Sequence, residues 1–147
     1  MPIRFSAVAM YGLTAMVDLA LHEGQGPISA AAMAKRHGIP ADCLEQVLNR
    51  LRRAGLVTAS RGARGGFQLS RPPAQIGASE MIQAVEGRSG RSPRNGGAVD
   101  QATWLVVNRI QSAVSTALSS TTLAELAAEA RRRHTNHTVQ HTYTFYI

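Results

Sequence analysis

The 147 residues contain a single cysteine, Cys43. One thiol excludes an internal disulfide framework, a C-x-x-C redox pair and an all-cysteine zinc site within the chain. No run of about 18 apolar residues occurs, so no membrane span is expected. The beginning of the chain has Arg4 but no apolar stretch leading to a small-residue cleavage site. No secretory signal is therefore expected, and the expected compartment is the cytoplasm. Acidic residues are missing from one long stretch. None lies between Glu45 and Glu80, where Arg50, Arg52, Arg53, Arg61, Arg64 and Arg71 all fall.

The formal net charge is +7, and 44% hydrophobic against 17% charged residues is a globular balance. The length suits one domain with its own core rather than two. The acid-free stretch suits a polyanionic partner, because each phosphate contact releases condensed counterions. Charge alone leaves a solvated basic face as the alternative.

The segment 5–23 is strongly apolar, with Met10, Leu13, Met16, Val17, Ala20 and Leu21 at helical spacings. Ser6 is a fitting N-cap, and Gly24-Gln25-Gly26-Pro27 stops the helix. Pro27-Ile28 reads as extended, Ser29 caps a second helix, and Gly38 ends it. In a third helix Leu44, Val47, Leu48 and Leu51 form one apolar stripe. Asp42, Glu45, Gln46, Asn49 and Arg53 lie opposite, side chains suited to base edges or phosphates and not to a core. Two short helices around a glycine turn make a helix-turn-helix.

Residues 56–60 and 67–70 read as strands flanking Arg61-Gly62-Ala63-Arg64-Gly65-Gly66, a β-hairpin wing. Its glycines would let backbone approach a phosphate or a groove floor, and its arginines suit an electronegative minor groove. Arg71-Pro72-Pro73 ends the sheet and a short helix over 78–85 completes the domain. Residues 87–97 contain no apolar residue and are read as a mobile loop or linker. A long helix over 99–119 carries Trp104, Val107, Ile110, Val114, Ala117 and Leu118 near 3.5-residue spacing, as helix pairing requires. Thr122-Leu123-Ala124-Glu125 is a capping box opening a last helix. The fold class expected is mainly α with a small β-hairpin.

Several fragments in order resemble the IscR/NsrR-type family of bacterial winged helix-turn-helix transcription regulators. They are Ala15-Met16-Val17-Asp18-Leu19-Ala20, Leu44-Glu45-Gln46, Leu51-Arg52-Arg53-Ala54-Gly55-Leu56-Val57, Arg61-Gly62 with Gly65-Gly66, and Ala84-Val85-Glu86-Gly87. A weaker likeness continues into Trp104 and Thr122–Leu126. The resemblance implies a homodimer on double-stranded palindromic operator DNA, usually a repressor. It implies base reading by Asp42, Cys43, Glu45 and Gln46, with Arg61 of the wing in the minor groove. Helix geometry adds Asn49, Arg50 and Arg53, and the wing adds Gly62 and Arg64. The expected divisions are a DNA-binding domain over 1–86, a linker over 87–97, dimerisation helices over 98–133 and a tail or added strand over 134–147. Dimerisation would rest on Trp104, Val107, Ile110, Val114 and Leu118. Cluster-binding members carry three cysteines between the winged domain and the long helix, where residues 87–97 have none. No iron–sulfur cluster and no other cofactor is expected. Members without a cluster sense a thiol reaction, a small molecule or a partner protein.

Some residues admit two readings. Cys43 is a candidate redox switch, since oxidation would put bulk and charge at the DNA surface, or else a half-buried side chain flanking Val47. His134, His137 and His141 would share a face if the last helix ran on, but the threonines among them favour a tail or strand, and no metal site is expected. Trp104 would anchor the dimer core or line an effector pocket. Asp42 and Glu45 can accept from cytosine N4, and Asp42 can also cap its helix. An enzyme built on Asp18 and His22 lacks a recognisable nucleophile or phosphate loop. A winged helix used for protein interaction, with no specific operator, is the remaining alternative.

Overall fold

Serines open the first two helices. Ser6 Oγ accepts from the Ala9 N–H at 3.1 Å at the head of α1 (Ala7–Leu21), and Ser29 Oγ accepts from the Ala32 N–H at 3.1 Å at the head of α2 (Ala30–His37). Gly38, at φ 64°, closes α2 in the left-handed conformation that its lack of a Cβ allows. α3 (Ala41–Arg53) begins at Pro40 with no side-chain cap, so Asp42 does not take the capping role open to it. The computed structural model describes residues 5–87 and 97–143. The elements that follow are β1 (Val57–Ser60), β2 (Gly66–Leu69), a 3-10 turn (Pro73–Gln75), α4 (Ala78–Glu86), α5 (Ala98–Ser119) and α6 (Leu123–Tyr143).

The apolar stripe of α3 faces inward as its spacing predicts. Leu44, Val47, Leu48 and Leu51 are buried against Met16 and Leu19 of α1, Met33 of α2, and Ile76, Met81 and Val85. Each such side chain contributes about 1.5–3 kcal/mol of burial free energy. Gly12 brings α1 and α4 together, since a Cβ there would stand 2.6 Å from Val85 Cγ2. Asp18 is the buried charged residue among those described. Arg36 Nη1 donates to both its oxygens at 2.8 and 2.9 Å, and His37 Nε2 lies 3.1 Å away. The carboxylate that an acid/base role would need instead ties the end of α2 to α1.

β1 and β2 pair antiparallel, from Val57 opposite Leu69 to Ser60 opposite Gly66. The extended residue Ile28 adds a further rung, exchanging hydrogen bonds of 2.9 and 2.8 Å with Phe67. The base of the wing is thereby fastened beside the start of α2.

α5 has no buried residue in this chain. α6 opens with the predicted capping box: Glu125 N–H donates to Thr122 Oγ1 at 3.3 Å, and Thr122 N–H to Glu125 Oε2 at 3.2 Å. Its first turns then enter the core of the N-terminal domain. Leu123 and Ala127 are buried, and the Leu123 N–H donates to the Ile76 carbonyl at 2.8 Å. The expected unit over 98–133 is therefore divided, because α6 starts inside the core that the first 86 residues build. Leu118, read as a dimer residue, is half-buried against that same core.

The backbone of residues 134–143 is helical, correcting the tail or added strand. Threonine costs only up to about 0.7 kcal/mol per helical position, which a helix already nucleated by a cap and core packing absorbs. Glu129 also pairs with Arg133 at 2.7 Å and with Arg132, and these arginines, Arg133 foremost, hold its carboxyl below the usual range. Residues 88–96 of the expected linker, residues 144–147, and the side chains of His137 and His141 lie outside the described residues. Among the described residues no helix is long and apolar enough to cross a membrane.

Candidate nucleic-acid interface

Burying one stripe of α3 leaves the opposite one outward. Asp42, Glu45, Gln46 and Arg53 are exposed and Asn49 is half-buried. Among the described residues none of their side chains forms a hydrogen bond or ion pair within the chain. About three helical turns of donors and acceptors, from Asp42 to Arg53, are thus open to an external partner. Asp42 sits in the first turn, where a carboxylate suits the positive end of the helix dipole.

Two residues on the flank of α3 depart from expectation. Cys43 is exposed, so the half-buried reading beside Val47 does not hold. Arg50 shares that flank, and its Nη1 donates to the Val85 carbonyl at 2.7 Å. Its guanidinium is engaged with the end of α4, unlike that of Arg53.

In the wing, Arg61 and Arg64 are exposed and make no ion pair among the described residues. The Gly65 N–H donates to the Gly62 carbonyl at 2.9 Å and closes the loop. The glycines serve the protein's own backbone more than expected. A Cβ on Gly65 would stand 2.3 Å from the Ser60 carbonyl oxygen, and one on Gly66 2.4 Å from that of Ile28. Gly62 has open space around it and is needed for its φ of 105°. Of the six arginines in the acid-free stretch, Arg71 is also taken up, pairing with Glu80 at 2.5 Å. Arg52, Arg53, Arg61 and Arg64 remain unpaired among the described residues.

A second exposed surface lies on α5. Val107 is 43% and Ile110 52% exposed, and Val99, Leu105 and Val106, which the sequence reading passed over, are 79%, 58% and 59% exposed. The i, i+7 and i+4 spacing of Val99, Val106 and Ile110 is the signal that would have found them. Trp104 and Val114 are half-buried. A groove of about 670 Å³ runs between α4 and α5, lined by Phe5, Ile82, Ile110 and Val114 with Ser79 and Gln83, and Trp104 is not part of its lining. No group of three metal-ligating side chains occurs among the described residues.

Residues 5–129 match the family model "Rrf2: Iron-dependent Transcriptional regulator". The chain is 36% identical to the HTH-type transcriptional regulator CymR of Bacillus subtilis over 149 aligned positions, covering 99% of this chain and 100% of that one. It is 35% identical to the HTH-type transcriptional regulator IscR of Photobacterium profundum over 129, covering 84% and 75%. Among solved structures it resembles B. subtilis CymR, the global cysteine regulator of that organism, with a TM-score of 0.69 and 35% identity over 87% of this chain and 98% of that one. T. potens IscR gives a TM-score of 0.68 and 35% identity over 88% and 90%. A winged helix-turn-helix with an open polar row, together with these matches along most of its length, places this chain in the Rrf2 family of DNA-binding transcriptional regulators.

Proposed function

We propose that the protein is a homodimeric repressor that binds a palindromic operator without an iron–sulfur cluster. The observation that carries the reading is the outward row of α3, largely exposed and without partners among the described residues, accompanied by wing arginines that are likewise unpaired among them. Glu45 and Gln46 read base edges from α3, with Asp42 and Cys43 in the same turn, while Asn49 and Arg53 extend the contact towards the backbone. Arg61 and Arg64 enter the minor groove, with Gly62 shaping the loop that carries them.

Dimerisation is supported by the exposed apolar stripe of α5, since a soluble chain rarely leaves so many large apolar side chains in water. Val107 and Ile110 form its centre, with Trp104 and Val114 beside it. The family's description is iron-dependent, but the donor set here does not fit a cluster. The sole thiol, Cys43, is on α3, and two chains supply two thiolates where a cluster takes four ligands.

A genomic-fragment pull-down by the purified protein, followed by footprinting, tests the reading. The expected result is a two-fold-symmetric protected site whose half-sites lie about one helical turn, or a multiple of it, apart. Failure to enrich any sequence would favour the winged helix as a protein-interaction module.

A further inference from the structure

The last carbonyls of a helix have no partner within it, and in α4 one is met by a side chain from another helix. Arg50 Nη1 donates to the Val85 carbonyl at 2.7 Å. A guanidinium there also faces the negative end of the α4 dipole, where a cation is favoured. The acceptor is itself firmly held. Val85 is 1% exposed and packs against the bare backbone of Gly12. The next residue, Glu86, accepts from Ser6 Oγ at 2.5 Å, the serine that caps α1. The carbonyl therefore belongs to a block made of α1 and α4, and Arg50 ties α3 to that block from the edge of its outward row.

Rotation of α3 about its own axis would displace all of its outward side chains together. A turn of about 20° at a radius of about 5–6 Å carries a side-chain tip some ~2 Å. That is more than a hydrogen bond to a base edge tolerates. We propose that Arg50 is a positioning residue for operator recognition, fixing the rotation of α3 through the Val85 carbonyl and making no contact with phosphate. The proposal rests on the operator-binding reading above.

The test compares Arg50→Gln, Arg50→Lys and Arg53→Gln with the parent protein. The probes are a duplex selected by the parent from a randomised pool and a scrambled duplex of the same composition. Kd is measured between roughly 50 and 200 mM salt. Active protein is titrated below every unfolding midpoint, so that altered stability does not register as altered affinity.

Arg50→Gln is expected to weaken the selected duplex about tenfold, leave the scrambled one unchanged and keep the parent's salt slope. Arg50→Lys, with the charge but a single-point donor, should fall between parent and Arg50→Gln with the same slope. Arg53→Gln should weaken both duplexes alike and lower the slope by about one. Arg50 variants that behave like Arg53→Gln would make Arg50 a phosphate contact and overturn the proposal. So would unchanged affinity for both duplexes with only a lower unfolding midpoint, which is a brace and nothing more. If Arg50→Gln does not fold, Arg50→Lys is judged by the same outcomes. A parent protein that fails to distinguish the two duplexes removes the operator reading itself, before any variant is compared.

Discussion

Asp18 and the glycines of the wing illustrate how single residues came to mean something different once their neighbours were known. Asp18 is 2% exposed and holds Arg36 and His37 against α1. Asp18→Asn should lower stability by about 1–3 kcal/mol in urea denaturation, because the bonds from Arg36 lose their charged acceptor and a buried amide NH2 is set against a guanidinium that can only donate. An unchanged midpoint would mean that the pair is dispensable for fastening α2. The glycines separate in the same way. Gly66→Ala drives a Cβ into the Ile28 backbone, whereas Gly62→Ala meets only the strain of φ 105° in open space. Gly62→Ala is expected to cost about 1 kcal/mol and Gly66→Ala about 3 kcal/mol, read from thermal unfolding. Equal effects would show that the rung between Ile28 and β2 gives way easily. The close approach joins residues some forty positions apart, and no local pattern announces it.

At the scale of elements, α3 was the most legible part of the chain. Its stripe of leucine and valine has the helical period, and burial of that stripe dictates the outward row. The side of α3 on which Arg50 finds its partner was not legible, because the partner is a carbonyl contributed by α4. α5 showed its period but not its full apolar surface, and Leu118 turned out to serve its own chain. Replacing Val106 and Ile110 together by lysine should leave helix content intact and shift the protein from dimer to monomer in sedimentation equilibrium. The charged side chains would have to be desolvated in the proposed interface, at several kcal/mol per ion. A double variant that remains dimeric would move the interface off this stripe. α6 was read as ending early because threonine is a poor helix former in isolation, and its anchored start outweighs that preference.

Taken as a whole, the molecule offers a basic surface, a helix with exposed apolar side chains and a single thiol. Its DNA affinity should fall steeply with salt. If a dimer makes about 6–10 phosphate contacts, the loss between 50 and 200 mM is about 10³–10⁵-fold. Binding that is flat over that range would remove phosphate contacts from the interface. Anaerobic purification should yield protein with no visible charge-transfer absorption. A brown sample with stoichiometric iron and sulfide would overturn the reading without a cluster.

The order of amino acids was enough to determine the helices apart from the far end of α6, the wing, the outward row of α3 and the single thiol. These follow from periodicity, capping, turn chemistry and composition, all of which act over a few neighbouring positions or over none. Only the tertiary structure decided which charges are free and which are occupied, since an arginine's partner is whatever the fold carries to within 3 Å of it. Arg50 is engaged by the end of α4 and Arg71 by Glu80, Arg53 and Arg61 have no partner among the described residues, and the start of α6 was claimed by a core laid down long before it in the chain.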